Sequence, residues 1–213
     1  MNFPKKALLG SLLALSATSA FAVDTADLRV IGTIAPTACT PTFAGGGVVD
    51  YGNIPTASLS ASVATPLAAK DITYVIHCDA PISIGTSWGD SRAGSSISGG
   101  GFAFGLGTQG VAKIGRYGVT HMTGLTTGDG TTVDIIFKQG NGPWTLGNAG
   151  GSPVASDGTV IQSYAPVGTL IPGAYTDIAG TLRVGATIAP TSTLDLSTAI
   201  TLDGLSTMTV RYL

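Results

Sequence analysis

The chain is short of charge: only 10% of its 213 residues are Asp, Glu, Lys or Arg, and the formal net charge is -2. No basic stripe is available to grip phosphates, which argues against a nucleic-acid partner. Histidine is nearly missing as well, with only His77 and His121. Two histidines and scattered carboxylates make no recognisable catalytic constellation, so no enzyme is expected. Long apolar runs are lacking apart from Ala7 to Ala20, which is shorter than the roughly 20 residues a bilayer-spanning helix needs. No membrane span is expected. Runs of Leu, Glu, Lys and Arg are also scarce beside 31 glycines, which argues against helices.

What is present begins with an export signal. Lys5 and Lys6 precede the apolar stretch, and Ala20-Phe21-Ala22 closes it as an A-x-A cleavage site. Residues 1–22 therefore read as a signal peptide, and 23–213 as one mature domain. Cys39 and Cys78 are the two cysteines. In an exported chain an even pair reads most simply as a disulfide. Closing a loop of about 40 residues would contribute on the order of 4 kcal/mol. A metal site is the rival reading, but His77 is the one histidine beside the pair, so no metal or other cofactor is expected. Low charge with a mean hydropathy of +0.40 suits a protein that hides surface against copies of itself or relatives.

The mature chain is a series of short β-branched runs punctuated by Gly, Pro, Asn and Asp. Leu28 to Ala35 alternates, with Leu28, Val30, Gly32 and Ile34 on one face, and Asp71 to Cys78 alternates with Ile72, Tyr74, Ile76 and Cys78 inward. Val48–Gly52, 82–84, 102–106, 113–119, 132–138, 159–164, 180–188 and 206–213 read as further strands. Many short strands between turn signals predict an all-β antiparallel sandwich. Gly128-Asp129-Gly130 lacks the carboxylate ladder of a calcium loop and reads as a hairpin turn. Residues 28–37 also recur almost verbatim at 182–191, as two strand-then-proline segments.

These residues carry a family resemblance. The alternation through Gly32 and Ile34 to Cys39 resembles the N-terminal extension of chaperone–usher pilins. Val49-Asp50-Tyr51-Gly52, the Cys78 strand, the Gly173-Ala174-Tyr175 turn and the penultimate aromatic Tyr212 are similar to later pilin segments. The likeness is nearest to a fimbria-associated domain-of-unknown-function family of Gram-negative bacteria. It implies an immunoglobulin-like, pilin-type sandwich that is incomplete and is finished by a donated strand. Residues 23–35 would be the donor extension, with Leu28, Val30, Gly32 and Ile34 as its inward positions. Met208, Val210 and Tyr212 would face the groove or a chaperone. The implied partners are a periplasmic chaperone, an outer-membrane usher and other pilus subunits, self or related. The implied place is a cell-surface fimbrium, reached by secretion through the periplasm, with a role in adhesion or biofilm. The extra segment Pro190 to Asp203, and Gly204 so near the terminus, depart from the pilin pattern and leave open which late strand borders the groove. A second reading is a carbohydrate- or receptor-binding minor or tip adhesin, with Trp88 and Trp144 beside Gly- and Asp-rich loops as stacking aromatics.

Overall fold

The computed structural model describes residues 26–32 and 38–213. The chain falls into two units, Met1–Ala35 and Pro36–Leu213. In the first, residues 26–32 carry no regular secondary structure and are exposed. The signal peptide expected over 1–22, and Ile34, lie outside the described residues.

The second unit is an antiparallel sandwich, as the alternating runs require. Its strands are β1 (Cys39–Phe43), β2 (Thr65–Pro66), β3 (Lys70–Asp90), β4 (Phe104–Gly105), β5 (Thr108–Gln109), β6 (Ala112–Lys113) and β7 (Gly115–His121). There follow β8 (Thr127–Gly128), β9 (Thr131–Gln139), β10 (Thr145–Leu146), β11 (Ser152–Pro153), β12 (Val160–Pro166), β13 (Ala174–Ile188) and β14 (Ser206–Tyr212). One sheet runs β1, the first half of β3, β13 and β7. The other runs β14, the second half of β3, β12, β9 and β10.

β3 thus serves both sheets, where the sequence reads as two separate strands. His77 opposes Asp177 and Ile82 opposes Tyr175, so β3 carries surplus residues around Cys78 to Pro81. Pro81 has no N–H to give to a ladder, which is why the chain bulges there and turns from one sheet into the next.

Period-two burial follows the expected faces. Tyr74, Ile76 and Cys78 are buried on β3, and Tyr117, Val119 and His121 on β7. Ile178, Leu182, Val184, Ala186 and Ile188 are buried on β13. Each large apolar side chain taken from water contributes about 1.5–3 kcal/mol, which is what holds two sheets face to face. Cys39 and Cys78 are register partners across β1 and β3 and are joined as the expected disulfide. The β8–β9 turn is the expected hairpin: Asp129 and Gly130 both have positive φ, the geometry that matches strand twist.

Among the described residues of the second unit, one expected strand is absent. Val48–Gly52 is irregular and follows a 3-10 turn at Ala44–Gly47. Asp50 Oδ1 accepts from the Gly52 N–H at 2.7 Å, and Gly52 sits at φ 64°. A local side-chain-to-backbone turn has replaced a ladder there.

Candidate functional site

Three parts of the sandwich enclose an apolar groove of about 830 Å³. Its floor is core: Ile72, Tyr117, Val119, Leu182 and Val184 from the first sheet and Trp88 from the second. One wall is the irregular stretch after β1. It is pinned by Tyr51, whose hydroxyl donates to the Val184 carbonyl at 2.9 Å and accepts from the Ala186 N–H at 3.2 Å. Those two backbone groups lie on β13 between the start of β3 and the short β2, so the tyrosine fills a gap in the ladder.

The opposite wall is the stretch from Leu194 to Leu205, which reads in the sequence only as an extra segment. Gln109 holds its start by two bonds at 2.8 Å with the Asp195 backbone. Arg92 grips Asp203 with two bonds at 2.8 and 2.9 Å, and the Asp203 N–H donates to the Leu106 carbonyl at 3.0 Å. The guanidinium beside Asp203 holds that carboxyl below the usual carboxylate range. Gly204 lets this wall lie on Tyr117: a Cβ there would meet the Tyr117 ring at 2.8 Å. Val48, Leu196 and Leu205 stand exposed around the groove. The lining contains one charged side chain among the described residues, Asp50.

Two sheet edges flank this opening. Among the described residues β1 and β14 each have β3 as their sole ladder neighbour. They come together where the Cys39 N–H donates to the Tyr212 hydroxyl at 2.9 Å. An open edge beside an apolar groove is a template for an added strand, which would gain backbone hydrogen bonds and side-chain pockets together.

The sequence-predicted residues are distributed as follows. Leu28 and Val30 are 91% and 87% exposed, and Gly32 is exposed too. Met208 and Val210 sit on the inner face of β14 against the core, and Tyr212 is half exposed. None of these three lines the groove; the terminal segment contributes Gly204, Leu205 and Ser206 instead. Trp88 is only 4% exposed and lies in the groove floor. Trp144 is half-buried, with Lys138 Nζ 4.8 Å above its ring. His77 is on the surface, 2.7 Å from Asp177, whose carboxylate raises the imidazole pKa.

His121 is fully buried between the sheets. Its Nδ1 lies 3.1 Å from the Tyr74 hydroxyl, which donates to the Tyr164 hydroxyl at 3.2 Å. Trp88, Tyr74 and Tyr164 pack edge-on against the imidazole. Burial drives the His121 pKa down to about 3 and the Tyr164 pKa up to about 12, so both stay neutral at physiological pH. A neutral histidine walled in by aromatics has no access to a substrate.

Comparison with known proteins adds the family. A model described as "Protein of unknown function (DUF1120)" matches residues 28–134. The chain belongs to that family. The match runs from Leu28, in the alternating N-terminal run, through both cysteines to β9. Two full-length relatives come from Escherichia coli (strain K12). Protein GltF is 29% identical, with 97% of this chain and 96% of the relative covered. Uncharacterized protein YhcF is 28% identical, with both chains covered in full. Among the described residues no helix is long and apolar enough to cross a membrane.

Proposed function

We propose that this DUF1120 chain is a structural subunit of a surface fimbrium, joined to its neighbours by strand donation. The observation that carries the reading is the open apolar groove, flanked by two unpaired sheet edges, in a chain whose N-terminal segment exposes Leu28 and Val30. The alternating segment of one subunit fills the groove of another, Leu28, Val30 and Ile34 facing inward and Gly32 passing a shallow place. Burying three such side chains contributes roughly 5–9 kcal/mol before the cost of ordering the segment. Backbone ladder bonds add to that along β14.

An uncovered groove is an aggregation hazard. A periplasmic chaperone that lends a strand, and an outer-membrane usher that exchanges it, are the partners this reading calls for. The Cys39–Cys78 disulfide supports passage through such an oxidising compartment.

The test is Leu28→Asp with Val30→Asp in the exported protein. Native mass is read by light scattering, and folding by far-UV circular dichroism. The reading expects loss of the polymer with an unchanged β-sheet spectrum. Polymers of wild-type length from the doubly substituted chain would refute it.

A further inference from the structure

The groove reading leaves open whose segment enters. We infer that the occupant is a second copy of this same chain, held in register by an ion pair between Arg29 of one copy and Asp50 of the other. This rests on the strand-donation reading above.

The first support is the internal echo. Residues 28–37 and 182–191 are identical at eight of ten positions. On β13 the even positions Leu182, Val184, Ala186 and Ile188 are buried in the sandwich. Their counterparts are Leu28, Val30, Gly32 and Ile34. The N-terminal segment therefore repeats large, large, small, large, an inward pattern that this sandwich already accommodates. A sheet packs on another only where the alternating faces match in size. The chain carries in its own first unit a segment matched to its own second.

The second support is charge. On β13 the outward residue between Leu182 and Val184 is Arg183, which makes two bonds to Asp71 on the adjacent β3, at 2.8 and 2.9 Å. Arg29 is its counterpart between Leu28 and Val30. The groove offers one charged lining residue among those described, and it is an acid, Asp50. Asp50 is exposed, and its side chain bonds locally to the Gly52 N–H. Lys70 lies alongside, donating to the Asp50 main-chain oxygen at 2.6 Å. Asp27 falls on the same outward face as Arg29 and meets that lysine with the complementary sign. A strand entering one residue out of step would turn Leu28 and Val30 to solvent and Arg29 to the apolar floor. The ion pair and the apolar face thus select the same register.

The experiment uses the full-length exported protein with Arg29→Asp and, separately, Asp50→Arg. Each variant is purified alone and then mixed one to one, and the assembled fraction is read by light scattering. Placing like charges together at an interface slows and weakens association, so each variant alone should assemble about tenfold less than wild type. The mixture should return to within about twofold. In it every reversed segment finds a reversed groove, and every native segment a native one. Asp50→Asn, which keeps the turn acceptor without its charge, should fall between. It guards against a folding failure of the reversal.

The outcomes separate the two levels. Wild-type assembly by either single variant, or no rescue on mixing, overturns the same-chain register. If Leu28→Asp with Val30→Asp still abolishes assembly in that case, strand donation itself survives. If that double variant assembles normally, both fall. Rescue on mixing also excludes insertion of each segment into its own groove, because mixing cannot repair a contact made within one molecule.

Discussion

Lowering the pH should loosen this sandwich from its centre, through His121. The imidazole is fully buried, bonded on one side to Tyr74, and burial holds its pKa at about 3 against an ordinary 6.5. Between those values the unfolded chain binds a proton that the folded chain refuses, so stability rises with pH across that window. The contribution is whole above pH 6.5 and is lost as pH falls toward 3. The slope approaches 1.4 kcal/mol per pH unit, so moving from pH 7 to 5 costs about 2 kcal/mol, and reaching pH 4 about 3. For a chain of this size 2 kcal/mol lowers the melting temperature by about 4–8 °C. Urea titrations followed by tryptophan fluorescence suit the case, since Trp88 packs on the imidazole with ring centroids 6.3 Å apart. His121→Phe is the control, an aromatic that cannot titrate. Asp71 and Asp203, held low by Arg183 and Arg92, titrate at lower pH and are common to both proteins. Equal pH slopes for wild type and His121→Phe between pH 7 and 4 would refute the reasoning.

Further outcomes are open to measurement. Cys39→Ser with Cys78→Ser should lose about 4 kcal/mol in a denaturant titration, the closure entropy of a separation of 39 residues. Tyr51→Phe orphans the Val184 carbonyl and the Ala186 N–H and should cost about 1–3 kcal/mol, with faster amide exchange at Ala186. Gly204→Val should drive that wall off Tyr117, widen the groove and reduce assembly, read by light scattering, more than it reduces the melting temperature. His77→Ala should cost stability at low pH and progressively less as pH rises, read from melting temperatures across a pH series. The bond to Asp177 raises the histidine pKa, so its benefit is present at low pH and fades as pH rises.

Much of the fold is legible because alternation is a strong local signal. Ile72, Tyr74, Ile76 and Cys78 reveal both the inner face of β3 and the side on which Cys39 must wait. The second half of β3 is not legible, since Gly85, Thr86 and Ser87 interrupt any apolar pattern. They are buried all the same: a Cβ at Gly85 would strike Ile161 at 2.6 Å, and Arg211 bonds the Ser87 hydroxyl at 3.0 Å. Trp88 looks like a loop aromatic among glycines and aspartates, yet it is interior because the strand continues past it to Asp90. The groove is half legible. The alternating positions of its floor, Ile72 on β3 and Leu182 and Val184 on β13, stand out, whereas the wall from Leu194 to Leu205 owes its place to Gln109, Arg92 and Leu106, partners remote in sequence that no periodicity announces.

The cystine stands where β1 begins, at the root of the leading segment. If a neighbour holds that segment, traction along a filament enters at Cys39. The sulfur bridge then carries it into β3, which belongs to both layers, rather than letting β1 unzip rung by rung. Reduced filaments would stretch and fray under shear flow at forces that oxidised ones survive.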